Sequence, residues 1–210
     1  MSIGPPIDLV VLSADRNIEY ALKGLIENRQ PALRIRALSV EWITHPDHDP
    51  GCLRTANNLL AAYRLRAAHC LVVFDHEGSG GETRSRQDCE LDVQAILVNS
   101  GWNTTACAAV AIAPEIEAWV WSDSPHVATT LGWKSDNQLR QWLVNQGWVG
   151  KGETKPAKPK EAVEAALYQS RKQRSSSLYA ELARKVSLER CIDSSFGRLK
   201  EILANWFPAT

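Results

Sequence analysis

The chain has little of what would mark it as secreted, membrane-bound or disulfide-stapled. Its five cysteines, Cys52, Cys70, Cys89, Cys107 and Cys191, are odd in number and show no CxxC spacing, which excludes a disulfide framework and a zinc knuckle as readings. They read as small buried apolar residues. No apolar run reaches the about 18 residues of a membrane span, and MSIGPPIDLV offers neither a basic n-region nor a long apolar stretch followed by small residues. A soluble, cytoplasmic protein without membrane partners is expected. Neither GxxxxGKS nor GxGxxG after a strand occurs, so nucleotide binding by those routes has no support. There is also no net charge, with 24 basic residues against 24 acidic ones, but the signs are unevenly spread. Through Gly150 there are 12 Lys and Arg against 17 Asp and Glu, and from Lys151 onward 12 against 7. The tail is therefore the part suited to a polyanion.

What is present is a chain of 210 residues with 44% apolar content, enough for one real core plus an extension. IDLVVLS, from Ile7 to Ser13, is a nearly continuous β-branched run, the pattern of a strand covered on both faces. Asn17 can cap the helix that follows, in which Ile18, Ala21, Leu22, Leu25 and Ile26 recur at helical spacing up to Pro31. RIRALSV, from Arg34 to Val40, alternates like a second, less buried strand, and HPDHDPG leads to a helical pattern through Leu53, Ala56, Leu59, Leu60 and Tyr63. A third strand, Cys70 to Phe74, ends abruptly in acid and glycine before a long helix. A fourth, Ala106 to Ile112, runs into Pro114 and a helix beginning EIEAWVW. This alternation predicts an α/β fold, a mainly parallel Rossmann-like sheet flanked by helices and built by residues 1–150. Residues 151–210 begin with the linker-like KGETKPAKPK and continue as helices around Ala162 to Tyr168, Leu178 to Val186 and Phe196 to Trp206, which should pack on the core.

In an open parallel sheet the residues just after each strand meet at one crevice, and here those residues are acidic. Asp15 and, one helical turn on, Glu19 follow the first strand; Asp75 and Glu77 the third; Glu115 and Glu117 the fourth. Mg²⁺ or Mn²⁺ needs only two or three carboxylates, because water and substrate phosphate complete its oxygen shell. Asp75 and Glu77, one residue apart in an extended segment, should point the same way. Glu115 and Glu117 should lie on different faces of a helix, so that one of them reaches the ion. Acids after strands also serve as helix caps, which is the competing reading for each pair.

Other candidates are weaker. Arg84 and Arg86 after the glycine loop could clamp phosphate, as could Lys151, Lys155, Lys158 and Lys160 in the basic tail. His45, Asp47, His48 and Asp49 could hold a transition metal, although an Asp-Pro-Gly turn explains the same letters. His76 lies between two proposed ligands and should face away from them. Of the eight tryptophans, Trp119, Trp133 and Trp142 read as core, and Trp148 beside the basic linker as a place for base stacking.

In the order of these motifs the chain resembles the Toprim-like proteins related to the nuclease domain of OLD-family defence proteins, and among them small stand-alone members encoded in a methylation-associated phage-defence system. Asp15 with Glu19, Asp75-His76-Glu77, PEIEAWVWSD and the helical tail KPKEAVEAAL to SLYAELARKVSLERC carry the resemblance. It implies a metal-dependent nuclease or related phosphoryl-transfer enzyme acting on DNA or RNA, with Asp15, Asp75, Glu77 and Glu115 or Glu117 on Mg²⁺ or Mn²⁺, and other defence proteins as partners. The family usually has Glu-Gly where this chain has Asp15-Arg16, and aspartate where it has Glu77. Those departures favour a second expectation, a catalytically degenerate subunit that binds nucleic acid or protein within a defence complex.

Overall fold

The computed structural model describes residues 6–150, 153 and 155–209; Lys151 lies outside them. Four strands form one all-parallel sheet: β1 (Ile7–Ser13), β2 (Val40–Thr44), β3 (Ala67–Asp75) and β4 (Cys107–Ile112), in the order β2-β1-β3-β4. The expected parallel α/β sheet is therefore present. β1, β3 and β4 are the runs richest in uninterrupted apolar residues, and the side chains of Leu9 to Leu12, Cys70 to Phe74 and Ala109 to Ile112 are fully buried, as strands covered on both faces must be.

The helices α1 (Arg16–Ile26), α2 (Gln30–Leu33), α3 (His48–Leu60) and α4 (Arg86–Asn99) join the strands. Right-handed crossovers place α1 on one face and α3 with α4 on the other, because the chain steps from β1 to β2 in one direction and then returns past β1 to β3 and β4. The reversal falls between the carboxyl ends of β1 and β3, the place at which open parallel sheets bind ligands.

The second strand is not where the alternation in RIRALSV puts it. Arg34 closes α2 in the left-handed region, at φ 59°, and Ile35 then makes a single antiparallel bridge to Pro208. The chain pairs with β1 only from Val40, through VEWIT. The helix expected after β4 is likewise reduced to one turn, α5 (Glu117–Val120). Trp121 leaves helical geometry, and Pro125 opens the separate helix α6 (Pro125–Thr130). α7 (Asp136–Asn145) follows, and the tail forms α8 (Pro159–Ser170), α9 (Ser176–Lys185) and α10 (Ser194–Trp206). α9 lies along α1, α8 against α5, and α10 against β4 and α2. No helix among the described residues is long and apolar enough to cross a membrane. The five cysteines are free thiols, four of them buried.

Candidate metal centre

Parallel pairing fixes which side chains meet. Ser13 is level with Val73 and with Thr44, and Asp75 with Ile112, so the segments leaving all four strands emerge at one edge. Asp15 and Asp75 consequently share that edge, following the adjacent strands β1 and β3 between which the strand order reverses.

Three carboxylates converge there. Asp75, Glu115 and Glu117 each offer an oxygen, and these atoms lie within 4.8 Å of one another. Asp75 ends β3. Glu115 and Glu117 both reach the cluster because Glu115 precedes the one-turn helix α5 instead of belonging to it, so the expected opposition of faces does not arise. Glu117 is completely buried and Glu115 nearly so. Asp75 Oδ1 and Glu117 Oε2 are buried without a hydrogen-bond partner, and an unsatisfied buried carboxylate oxygen is expensive. Burial, then the charges of Asp49, Glu117, Asp15 and Glu115, push Asp75 well above the usual carboxylate range. Burial and then the Glu117 charge raise Glu115.

Asp49 is the residue that sequence reasoning placed elsewhere. It lies in the first turn of α3, and its Oδ1 accepts a hydrogen bond from the Asp75 amide at 2.8 Å. Burial raises its carboxyl as well, opposed by that bond and helped by the Asp15 charge. The HPDHDPG segment thus joins the same edge, and among the described residues its histidines and aspartates do not converge as a metal-ligand group. His45 is buried, with Nδ1 accepting from the Asp47 amide at 3.0 Å and Nε2 3.2 Å from Thr55 Oγ1. His48 Nδ1 lies 3.2 Å from the Ala14 carbonyl.

Two cations and a phenol surround the acids, all from the tail. Arg174, between α8 and α9, donates through Nη2 to Glu117 Oε1 at 2.6 Å, through Nη1 to Glu164 at 2.8 Å and through Nε to the Tyr179 hydroxyl at 3.0 Å. Tyr179, buried on α9, donates to the same Glu117 oxygen. Burial and then the neighbouring Glu117 charge raise its pKa, which keeps it a donor. Lys160, in the first turn of α8, meets Glu115 twice: its amide donates to Oε1 at 3.1 Å, and its ammonium lies 3.3 Å from Oε2. Glu117 is therefore held by one oxygen while the other is left unpartnered. No local signal in the sequence announces Arg174 or Tyr179, since they meet Glu117 across 57 and 62 residues.

The other expected residues are placed differently. Asp15 caps α1, accepting from the Ile18 amide at 2.9 Å and from Asn17 Nδ2 at 3.3 Å; it acts on the cluster through its field and lies outside the converging set. Glu19 is turned toward β2, bonded to Lys23 at 2.5 Å and to Thr44 Oγ1 at 2.6 Å. Glu77 does not point with Asp75: the chain turns from His76 to Gly80, the extended alternation ends, and Glu77 is exposed. Arg84 pairs with Asp92 at 2.6 Å and Arg86 with Glu90 at 2.6 Å, both away from the acids. Lys158 is exposed at the start of α8. Trp119 is core, Trp133 and Trp142 pack against each other with ring centroids 5.0 Å apart and planes tilted by 45°, and Trp148 is half-buried against the core.

No protein-family model, curated protein or solved structure matches this chain.

Proposed function

We propose that the edge holding Asp75, Glu115 and Glu117 binds a divalent cation, Mg²⁺ or Mn²⁺, and that the protein uses it to hydrolyse phosphodiesters of DNA or RNA. One observation carries the reading: two of the three converging carboxylates each have a buried oxygen with nothing to bond. An all-oxygen, multiply charged donor set suits a hard cation, and a buried charge without a partner is the state that an ion relieves. The placement at a topological reversal of an open parallel sheet is where such folds bind ligands.

A bound ion would polarise a phosphoryl oxygen and lower the pKa of a coordinated water. The protein's own residues have separable tasks. Asp75, Glu115 and Glu117 would hold the ion. Tyr179 and Arg174 orient Glu117, Lys160 orients Glu115, and Asp49 fixes the backbone amide of Asp75. The resemblance to Toprim-like defence nucleases supports the reaction class and extends the proposal to a cytoplasmic anti-phage system with other defence proteins as partners.

A second reading, a non-cleaving subunit that binds nucleic acid or protein, is favoured by two findings. Arg174 and Lys160 already counter the charges of Glu117 and Glu115, and Asp15 and Glu77 stand outside the converging set. A cleavage assay on plasmid and oligonucleotide substrates separates the two. Metal-dependent hydrolysis predicts products with Mn²⁺ or Mg²⁺, none with EDTA and none with Asp75→Asn. Absence of products with either metal, in a protein that still binds the substrate, would establish the second.

A further inference from the structure

A concave surface of opposite chemistry opens elsewhere on the molecule. Arg140 on α7, Lys155 ahead of α8 and Arg190 between α9 and α10 line a cleft of about 520 Å³ with Trp121, Asp123 and Ile192. Three segments far apart in sequence thus bring three cations to face one carboxylate.

Each cation is fixed in place with donors to spare. Lys155 Nζ donates to the Ala118 carbonyl at 3.1 Å, and Arg190 Nη1 to the Asp123 carbonyl at 3.1 Å. Arg140 bridges Asp123 at 2.8 Å and Asp136 at 2.7 Å. An ammonium has three donors and a guanidinium five, so most of those on Lys155 and Arg190 are available to a ligand.

Position gives the ligand its length. A smaller hollow shares Trp121 and Lys155 with the cleft, and its floor includes Ala113 and Pro114, which immediately precede Glu115. The wall is the wrong kind for bases: Trp121 is only 6% exposed, and its indole N–H is committed to the Pro159 carbonyl at 2.9 Å, so no ring face is offered for stacking.

We infer that the Arg140–Lys155–Arg190 cleft binds the phosphodiester backbone of a nucleic-acid strand, without reading its bases, and leads it toward the carboxylates of Asp75, Glu115 and Glu117. Only the strand's destination rests on the proposed function; the binding needs no metal. Arginine favours phosphate through paired, planar hydrogen bonds. Of the tail lysines expected from sequence to contact phosphate, Lys155 lines this cleft.

The test is fluorescence anisotropy in EDTA with labelled single-stranded DNA, single-stranded RNA and duplex DNA of mixed sequence, titrated at several salt concentrations. Wild type should bind at least one of them with little dependence on sequence. Lys155→Ala with Arg190→Ala should weaken that binding about tenfold and reduce the slope of log affinity against log salt by about 1.4 for a single strand or about 1.8 for a duplex. Arg190→Glu alone should weaken binding at least as much as Arg190→Ala. Arg66→Ala, which removes an exposed cation at the opposite end of β3, should change neither. An unchanged salt slope in the double variant, no binding of any of the three probes by wild type, or displacement by poly-glutamate as effective as by oligonucleotide would each overturn the inference. Failure of the metal reading alone would leave this binding intact, since the ion is absent throughout.

Discussion

Asp75 carries its charge at a cost in the metal-free protein, and the sign of that cost fixes a pH dependence. Burial and the surrounding acids raise Asp75, while burial raises Asp49 and Glu115. Unfolded carboxyls titrate near about 4. Above that value the folded state binds more protons than the unfolded one, so stability falls as pH rises from about 4 toward the raised pKa values and is level beyond them. Carboxyls shifted the other way act below this window, whereas His45 and His69, lowered chiefly by burial, add stability as pH rises toward about 6.5 and oppose the decline. Asp8, held at about 2 chiefly by hydrogen bonding to Arg36, contributes stability that is lost as pH falls from about 4 through that value. Urea denaturation in EDTA from about pH 4.5 to 8 should therefore show the stability of wild type falling, as pH rises, relative to that of Asp75→Asn, in which the histidine contributions are unchanged. Identical slopes would mean that Asp75 is not the strained charge.

At the scale of elements, the central strands were legible because IDLVVLS and HCLVVFD are runs that only a doubly covered strand can bury. The second strand was not. RIRALSV and VEWIT alternate equally well, and what decides between them is the bridge of Ile35 to Pro208, a contact between distant parts of the chain. The carboxylates of the candidate site were readable for the same reason as the strands: Asp75, Glu115 and Glu117 follow strand ends. Their partners were not, because Arg174, Tyr179 and Asp49 reach them through tertiary packing.

That packing depends on how closely α9 approaches α1, and Gly24 is one place where the two helices come tightly together. A Cβ on Gly24 would fall 2.7 Å from the Ala180 carbonyl oxygen and 2.8 Å from Ala183 Cβ. In an exposed helix, Gly→Ala stabilises by about 1 kcal/mol. Here it must push α9 outward, and Gly24→Ala should destabilise by roughly 1–3 kcal/mol. It should also loosen Tyr179 from Glu117. Chemical denaturation checks the sign, and a more stable variant would show that α9 is not held against α1 as described.

For the whole molecule, one arrangement joins these parts. A parallel sheet delivers acids to one edge, and a helical tail packed on α1, β4 and α5 supplies the cations and the phenol that hold them. Two carboxylate oxygens remain buried and unpaired. The central claim is that a divalent ion belongs there, and thermal melting of wild type and Asp75→Asn, each in EDTA and in Mn²⁺, tests it most directly. An ion that binds only the folded state stabilises by about 2.7 kcal/mol at a hundredfold excess over its dissociation constant. The account predicts that Asp75→Asn melts at or above the wild-type temperature in EDTA, because a buried charge has been removed from a crowded cluster, and that Mn²⁺ raises the melting temperature of wild type but not of the variant. Equal shifts with Mn²⁺ in the two proteins, or none in wild type, would contradict it.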